Sequence, residues 1–246
     1  MSEYQGTKLK ICSSLKELSL KAAAEIAEEA RTTLKRKKSF TFVLSGGKTP
    51  VVLYQLLATE YREKIQWEGV HLFWSDERYV PHADPDSNYR LARQSLIDAV
   101  PIPPSNIHPV PTNLDSPEQS ASAYDEILKR FFGGSGPAFD VMLLGIGTDG
   151  HTASLFPKSP ALKEKKRWVV PSVAPARPKD RITMTFPAMN ASRNVFFLGS
   201  GKEKSPVVED ILRGGSKEHD RHPAANVHGT EQTVWFLDIE AAGKLR

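Results

Sequence analysis

The chain is 246 residues long, 39% hydrophobic and 25% charged, with a formal net charge of +4. That is ordinary globular composition, with enough apolar material for a sizeable core. The mild basic excess carries no nucleic-acid signature. Its strongest run, Lys35-Arg36-Lys37-Lys38, lacks interleaved aromatics and closes a predicted helix, where cations suit the macrodipole. A single cysteine, Cys12, excludes an internal disulfide, and its place at a strand end reads as a buried small hydrophobe rather than a nucleophile. With no signal peptide and no apolar run of membrane-spanning length, the expectation is a soluble cytoplasmic protein with neither nucleic acid nor membrane as partner. No linker divides the chain, so residues 1–246 read as one α/β domain.

Residues 1–7 read as a loose terminus and Lys8–Cys12 as a strand. Ser14-Leu15-Lys16-Glu17 is a capping box that opens an amphipathic helix, with Leu18, Ala22, Ala23, Ile26, Ala27, Ala30 and Leu34 at helical spacing. Phe40–Leu44 is a strand by aromatic and β-branched content. After Ser45-Gly46-Gly47-Lys48, Thr49 serves as N-cap and Pro50 as first residue of a helix through Leu57. Val70–Trp74 is the next strand, followed by a polar loop and a helix from Ser87 to about Ala99. A short strand at Ile107–Val110 precedes a second capping box, Ser116-Pro117-Glu118-Gln119, whose helix runs to Phe132 and stops at Gly133. Strands at Phe139–Leu144, Trp168–Val170, Arg181–Phe186, Asn194–Leu198 and Thr233–Leu237 complete the pattern, with one further helix reaching Leu212. Strands alternating with helices predict an α/β fold with a mostly parallel sheet and helices on both faces.

In such a fold the strand-to-helix loops gather on one edge, where ligands bind. Four of these loops are polar or glycine-rich: 45–50, 75–81, 145–157 and 199–202. They are expected to form one site. Ser45-Gly46-Gly47-Lys48-Thr49-Pro50 fits a phosphate cradle, because glycine lets the backbone approach an anion and the first helical N–H groups are unpaired. Neither Walker A nor GxGxxG spacing is present, so neither ATP nor a dinucleotide is expected. Arg78 suits phosphate oxygens, and Asp76 and Glu77 either hold it or bind sugar hydroxyls. Lys202 and Arg181 are further cations at element ends. Asp149-Gly150-His151 could be an oriented base, in which a carboxylate fixes the imidazole tautomer; alone, the tripeptide reads rather as a turn with a structural Asp and an exposed His. Metal-ligand spacings and a Gly-x-Ser-x-Gly elbow are absent from the sequence.

Taken in order, Ser45–Pro50, Ser75-Asp76-Glu77-Arg78, the segment 145–157, Arg181-Ile182-Thr183 and Gly199-Ser200-Gly201-Lys202 resemble 6-phosphogluconolactonase, of the glucosamine-6-phosphate isomerase/6-phosphogluconolactonase superfamily. The resemblance spans about Lys8 to Leu237. It implies a Rossmann-like sheet and metal-independent, cofactor-free hydrolysis of a phosphorylated sugar lactone. His151 would be the general base and Asp149 its carboxylate neighbour. Ser45, Gly46, Gly47, Lys48, Thr49, Asp76, Arg78 and Lys202 would hold the substrate, with Arg181 added to that grip. Lys48 departs from the family, which often has Ser or Thr there. The related deaminases carry Asn-Glu-Pro where this chain has Leu155-Phe156-Pro157, and sugar-phosphate sensors of this fold add a DNA-binding domain.

Overall fold

The computed structural model describes residues 2–4, 7–134, 136–214 and 221–245. Its main sheet has seven strands in the order β1-β2-β10-β9-β6-β3-β4. These are β1 (Ser2–Tyr4), β2 (Thr7–Cys12), β3 (Phe40–Leu44), β4 (Val70–Trp74), β6 (Val141–Gly145), β9 (Asn194–Gly199) and β10 (Gln232–Asp238). All pairings are parallel except β1 with β2. The N-terminal segment is thus not loose at residues 2–4, where it adds an antiparallel edge strand; positions 1, 5 and 6 lie outside the described residues. Central strands buried on both faces read as continuous apolar runs, and β3 (FTFVL) is buried at every position.

Helices α1 (Leu15–Arg36), α2 (Thr49–Thr59), α3 (Asn88–Ser95), α4 (Pro117–Phe132), α5 (Phe186–Asn190), α6 (Ser205–Gly214) and α7 (Ile239–Ala242) flank the sheets. Both capping boxes form in a shifted version. Ser14 and Ser116 accept from the N–H groups of Glu17 and Gln119, while those two side chains reach back one residue further, to the N–H of Ser13 and Asp115. The helix from Ser87 is shorter than expected. Ser87 caps α3, which ends at Ser95, and Ile97–Ala99 forms a separate 3-10 turn. No strand forms at Ile107–Val110; Ile107 makes only an isolated bridge to Leu72.

A second sheet was not legible as such. It is antiparallel, in the order β5-β8-β7, from β5 (Asp76–Arg78), β8 (Asp180–Met184) and β7 (Val169–Val173). Asp76-Glu77-Arg78, expected as a polar loop, is its edge strand. Non-local pairing with Arg181–Thr183 creates that strand, and three charged side chains carry no apolar alternation to announce it. Both sheets contribute to one hydrophobic cluster, which includes Val43, Leu143 and Phe196 of the main sheet and Ile182 and Met184 of the second.

Asp140 ties the lower ends of three central strands together. Fully buried at the start of β6, its Oδ2 accepts from both the N–H and the hydroxyl of Thr41 at 2.9 Å. Its Oδ1 meets Lys37 at 2.9 Å and Arg193 at 3.1 Å. At the opposite ends, two buried tyrosines tie off the strands. The Tyr54 hydroxyl accepts from the Ser45 N–H and donates to the Ser45 carbonyl, and Tyr124 does the same at Trp74.

Candidate active site

The chain leaves β3 toward β4 on one side of the sheet, whereas β6 leads to β9 and β10 on the other. The crevice between the carboxyl ends of β3 and β6 is therefore the topological switch point, where open α/β sheets bind ligands. The two ends are close: a Cβ built on Gly145 would lie 3.7 Å from Ser45 Oγ. A pocket of about 340 Å³ opens here. All four sequence loops contribute to its wall, through Ser45–Pro50, Asp76 and Arg78, Gly145–Gly147 with His151 and Ala153, and Ser200 with Glu203 and Lys204.

The cradle differs from expectation in one respect. Thr49 is the first residue of α2 and Lys48 its N-cap, in helical conformation and offering no side-chain acceptor. Pro50 has no N–H and the Val51 N–H donates to the Lys48 carbonyl at 3.3 Å, which leaves the Thr49 N–H and the loop N–H groups before it to meet a ligand in the pocket. Lys48 is exposed at the pocket rim.

Asp76 is the junction of the site. Its Oδ2 accepts from Ser154 Oγ at 2.6 Å and its Oδ1 from Asn88 Nδ2 at 3.3 Å. The first bond ties β5 to the His151 turn, and the second ties it to α3. Asn88 also presses on the cradle: a Cβ on Gly46 would come within 1.9 Å of its Oδ1. Glu77 takes the Arg78 backbone rather than its guanidinium and does not line the pocket. Fully buried, it accepts from the N–H groups of Arg78, Asn88 and Tyr89 at 2.7–2.8 Å and from the Ser87 hydroxyl at 3.1 Å, closing the start of α3. Burial pushes its carboxyl up to about 7, against the downward pull of those backbone donors. In Glu77→Gln an amide NH₂ would face donors on one side. Thermal unfolding should show a loss of about 1–3 kcal/mol, the cost of a buried group left unsatisfied.

The cations divide. Arg78 lines the pocket, with Nη1 held by the Asp86 carbonyl. Arg181 pairs across from it in β8 and does not line the pocket. It is buried, with Nε and Nη1 lacking any hydrogen-bond partner. Burial, then the nearby Arg78 charge, lowers its pKa. Lys202 is exposed and outside the pocket wall, which Glu203 and Lys204 supply instead. All three lie in a 3-10 turn, where successive side chains diverge by a third of a turn.

Asp149 and His151 meet as expected. The Asp149 Oδ1 lies 2.6 Å from His151 Nδ1 and also accepts the His151 N–H at 3.1 Å. A carboxylate only accepts, so Nδ1 carries a proton, and in the neutral imidazole Nε2 is then the nitrogen with the free lone pair. Burial pushes Asp149 up, but the bonds from the His151 ring and N–H outweigh it and bring the carboxyl down to about 2. The stability this confers is complete above the ordinary value of 3.8 and is lost as pH falls through 2. Gly147 makes room for the pair, since a Cβ there would lie 2.1 Å from His151 Nδ1. Phe156 packs on the imidazole, with ring centroids 4.6 Å apart. Asp149 itself lines a neighbouring groove rather than the pocket, as suits a group that orients the base.

Residues 13–235 match the profile of the glucosamine-6-phosphate isomerases/6-phosphogluconolactonase family. The chain belongs to this family. It is 43% identical over 209 residues to a 6-phosphogluconolactonase of Synechocystis sp., covering 84% of this chain and 85% of that one. It is 42% identical over 221 residues to 6-phosphogluconolactonase 3, chloroplastic, of Arabidopsis thaliana, covering 86% and 67%. The crystal structure of 6-phosphogluconolactonase from Thermotoga maritima matches with a TM-score of 0.81 and 33% identity, covering 94% and 99%. A monomeric glucosamine-6-phosphate deaminase matches with a TM-score of 0.80 and 26% identity, covering 98% and 100%. Family members with either chemistry share this backbone, so the site residues must decide between them.

Proposed function

We propose that this chain hydrolyses 6-phospho-D-glucono-1,5-lactone to 6-phospho-D-gluconate, the second step of the oxidative pentose phosphate pathway, with His151 as general base. The observation that carries this reading is an imidazole oriented by a carboxylate in the wall of a pocket that also presents Arg78, Lys48, Lys204 and the glycine-rich 45–49 backbone. The family relatives named for this activity support it.

The steps follow from the groups present. The phosphate sits against the α2 N-terminus with Arg78, Lys48 and Lys204, and Arg181 adds positive potential from behind β5. That grip orients the lactone carbonyl toward His151. Nε2 takes a proton from water as the water oxygen bonds to C1. The C1–ring oxygen bond then breaks, and the imidazolium returns the proton to the departing ring oxygen. Asp149 stabilises the transient imidazolium. Water is the nucleophile, so no covalent enzyme intermediate is needed.

The deaminase reading lacks its carboxylate, because Phe156 stands at that position and packs on His151. Incubation with each substrate separates the two. Lactone should be consumed faster than in buffer, with no ammonia released from glucosamine-6-phosphate; ammonia release would favour the deaminase. We place the enzyme in the cytoplasm, acting on a dissolved sugar phosphate. The buried, unpaired thiol of Cys12 suits that compartment, and none of the described helices is long and apolar enough to cross a membrane.

The placement of the two lysines gives a direct prediction. Lys204→Ala should raise KM for the lactone about 10-fold with little change in kcat, as expected for removal of uniform binding. Lys202→Ala should change KM less. Initial rates across a range of lactone concentrations check both.

A further inference from the structure

The Asp149-Gly150-His151 turn is held from behind by a segment that lies outside the four pocket loops. His222 is buried and sets Nδ1 3.2 Å from the main-chain carbonyl oxygen of Asp149. A carbonyl only accepts, so this nitrogen carries a proton and donates. Two residues on, the Ala224 N–H donates to the Gly150 carbonyl at 2.9 Å. Successive carbonyls of the turn are therefore anchored to one segment. On the far side of the ring, Nε2 lies 3.5 Å from the Asp210 carboxylate on α6. The imidazole also fills the space beside Gly150, where a Cβ would come within 2.3 Å of Nδ1.

Beyond the Asp149 and Gly150 carbonyls, the segment is tied to the fold at Ser154, whose hydroxyl donates to Asp76 and whose N–H donates to the Thr183 hydroxyl; nearer the Asp149–His151 pair its bonds are local. The bonds from Gly147 N–H to the His151 carbonyl, from Gly150 N–H to the Gly147 carbonyl, and from the Thr152 hydroxyl to the Gly145 carbonyl all close within the turn itself. The Asp149 side chain is 43% exposed and His151 32%, so packing alone leaves the pair free to shift. Gly150 sits at φ +84, in the left-handed region, and glycine is the residue with most freedom to leave it.

We propose that His222 is a positioning residue for the reaction. By holding the Asp149 carbonyl it fixes where the Asp149 carboxylate stands, and through that carboxylate it sets the His151 ring against the pocket. Asp149 is then gripped at both ends, its carboxylate by one histidine and its carbonyl by another. The kinetic consequence rests on the lactonase reading of the same site; the structural consequence does not.

The test compares His222→Leu, which keeps bulk and loses the donor, with His222→Asn, whose amide nitrogen stands near the position of Nδ1. In His222→Leu, kcat should fall by about 10- to 100-fold, the scale of an ångström-sized misplacement, with KM within about twofold. His222→Asn should recover most of the loss. The Nδ1–H proton of His151, followed by ¹H–¹⁵N NMR, should be downfield in the parent and in His222→Asn, and weakened or shifted in His222→Leu. Equal kcat in the two variants, whether both intact or both reduced with matching losses of melting temperature, would reduce His222 to packing and overturn the proposal. A parent chain without lactone hydrolysis would sink the lactonase reading instead. An unchanged His151 signal in His222→Leu would overturn the positioning role on its own.

Discussion

His151→Ala should lower kcat by about 10²–10⁴-fold, the range for loss of a positioned general base, while KM for the lactone stays close to the parent value. The split follows from the layout of the pocket. The groups proposed to take the phosphate lie in the 45–50 loop, at Arg78 and at Lys204, whereas His151 comes from the turn after β6. A group that acts on water in the transition state contributes little to ground-state affinity. The lactone also opens spontaneously, so rates must be corrected for buffer at each concentration. Acid release at constant pH measures the difference. A parallel rise in KM would mean that His151 binds the substrate rather than activating water.

The largest effect on stability is expected at Asp140, on the opposite edge of the sheet. Asp140→Ala removes the acceptor for the Thr41 N–H and hydroxyl and the counter-charge of Lys37 and Arg193. Removing one partner from a buried ionic cluster costs about 3–5 kcal/mol. For a chain of this size that corresponds to a fall in melting temperature of about 6–20 °C. Lys37 is 44% exposed and regains water when released, and Arg193 keeps its two-point pair with Glu231, so most of the loss belongs to the buried donors of Thr41. Thermal unfolding followed by circular dichroism checks this. Asp140→Asn should lie between, because its amide oxygen still accepts from Thr41.

The elements that carried the strongest periodic signal were legible in the sequence: α1, α4 and the buried strands β3, β4, β6, β9 and β10. Their loops were legible too, because glycine, proline and hydroxyl residues mark strand ends by local chemistry alone. The Asp149–His151 pair could be read because its partners are two residues apart. What escaped was set by contacts between distant positions. β5 exists because Asp76–Arg78 pairs with residues more than a hundred positions later. Asn88, Tyr54 and His222 support the site through side-chain hydrogen bonds that no local pattern encodes. His222, for example, lies 73 residues from the carbonyl it holds. The exchange of Lys202 for Lys204 at the pocket wall is a matter of phase within one 3-10 turn, finer than a composition-based reading of a Gly-Ser-Gly-Lys loop can resolve. Glu77, expected to hold Arg78 or bind sugar hydroxyls, instead directs its carboxylate to the backbone at Arg78 and the start of α3 and to the Ser87 hydroxyl, partners up to twelve residues away.

The central claim is that this pocket accelerates lactone hydrolysis rather than merely holding a sugar phosphate. The most direct measurement follows freshly prepared 6-phosphogluconolactone at constant pH, with and without the purified chain, and titrates binding of 6-phosphogluconate in parallel. Saturable acceleration over buffer is expected, abolished in His151→Ala, with product binding retained in that variant. Tight binding of 6-phosphogluconate with no acceleration over buffer would contradict it and make the chain a sugar-phosphate sensor.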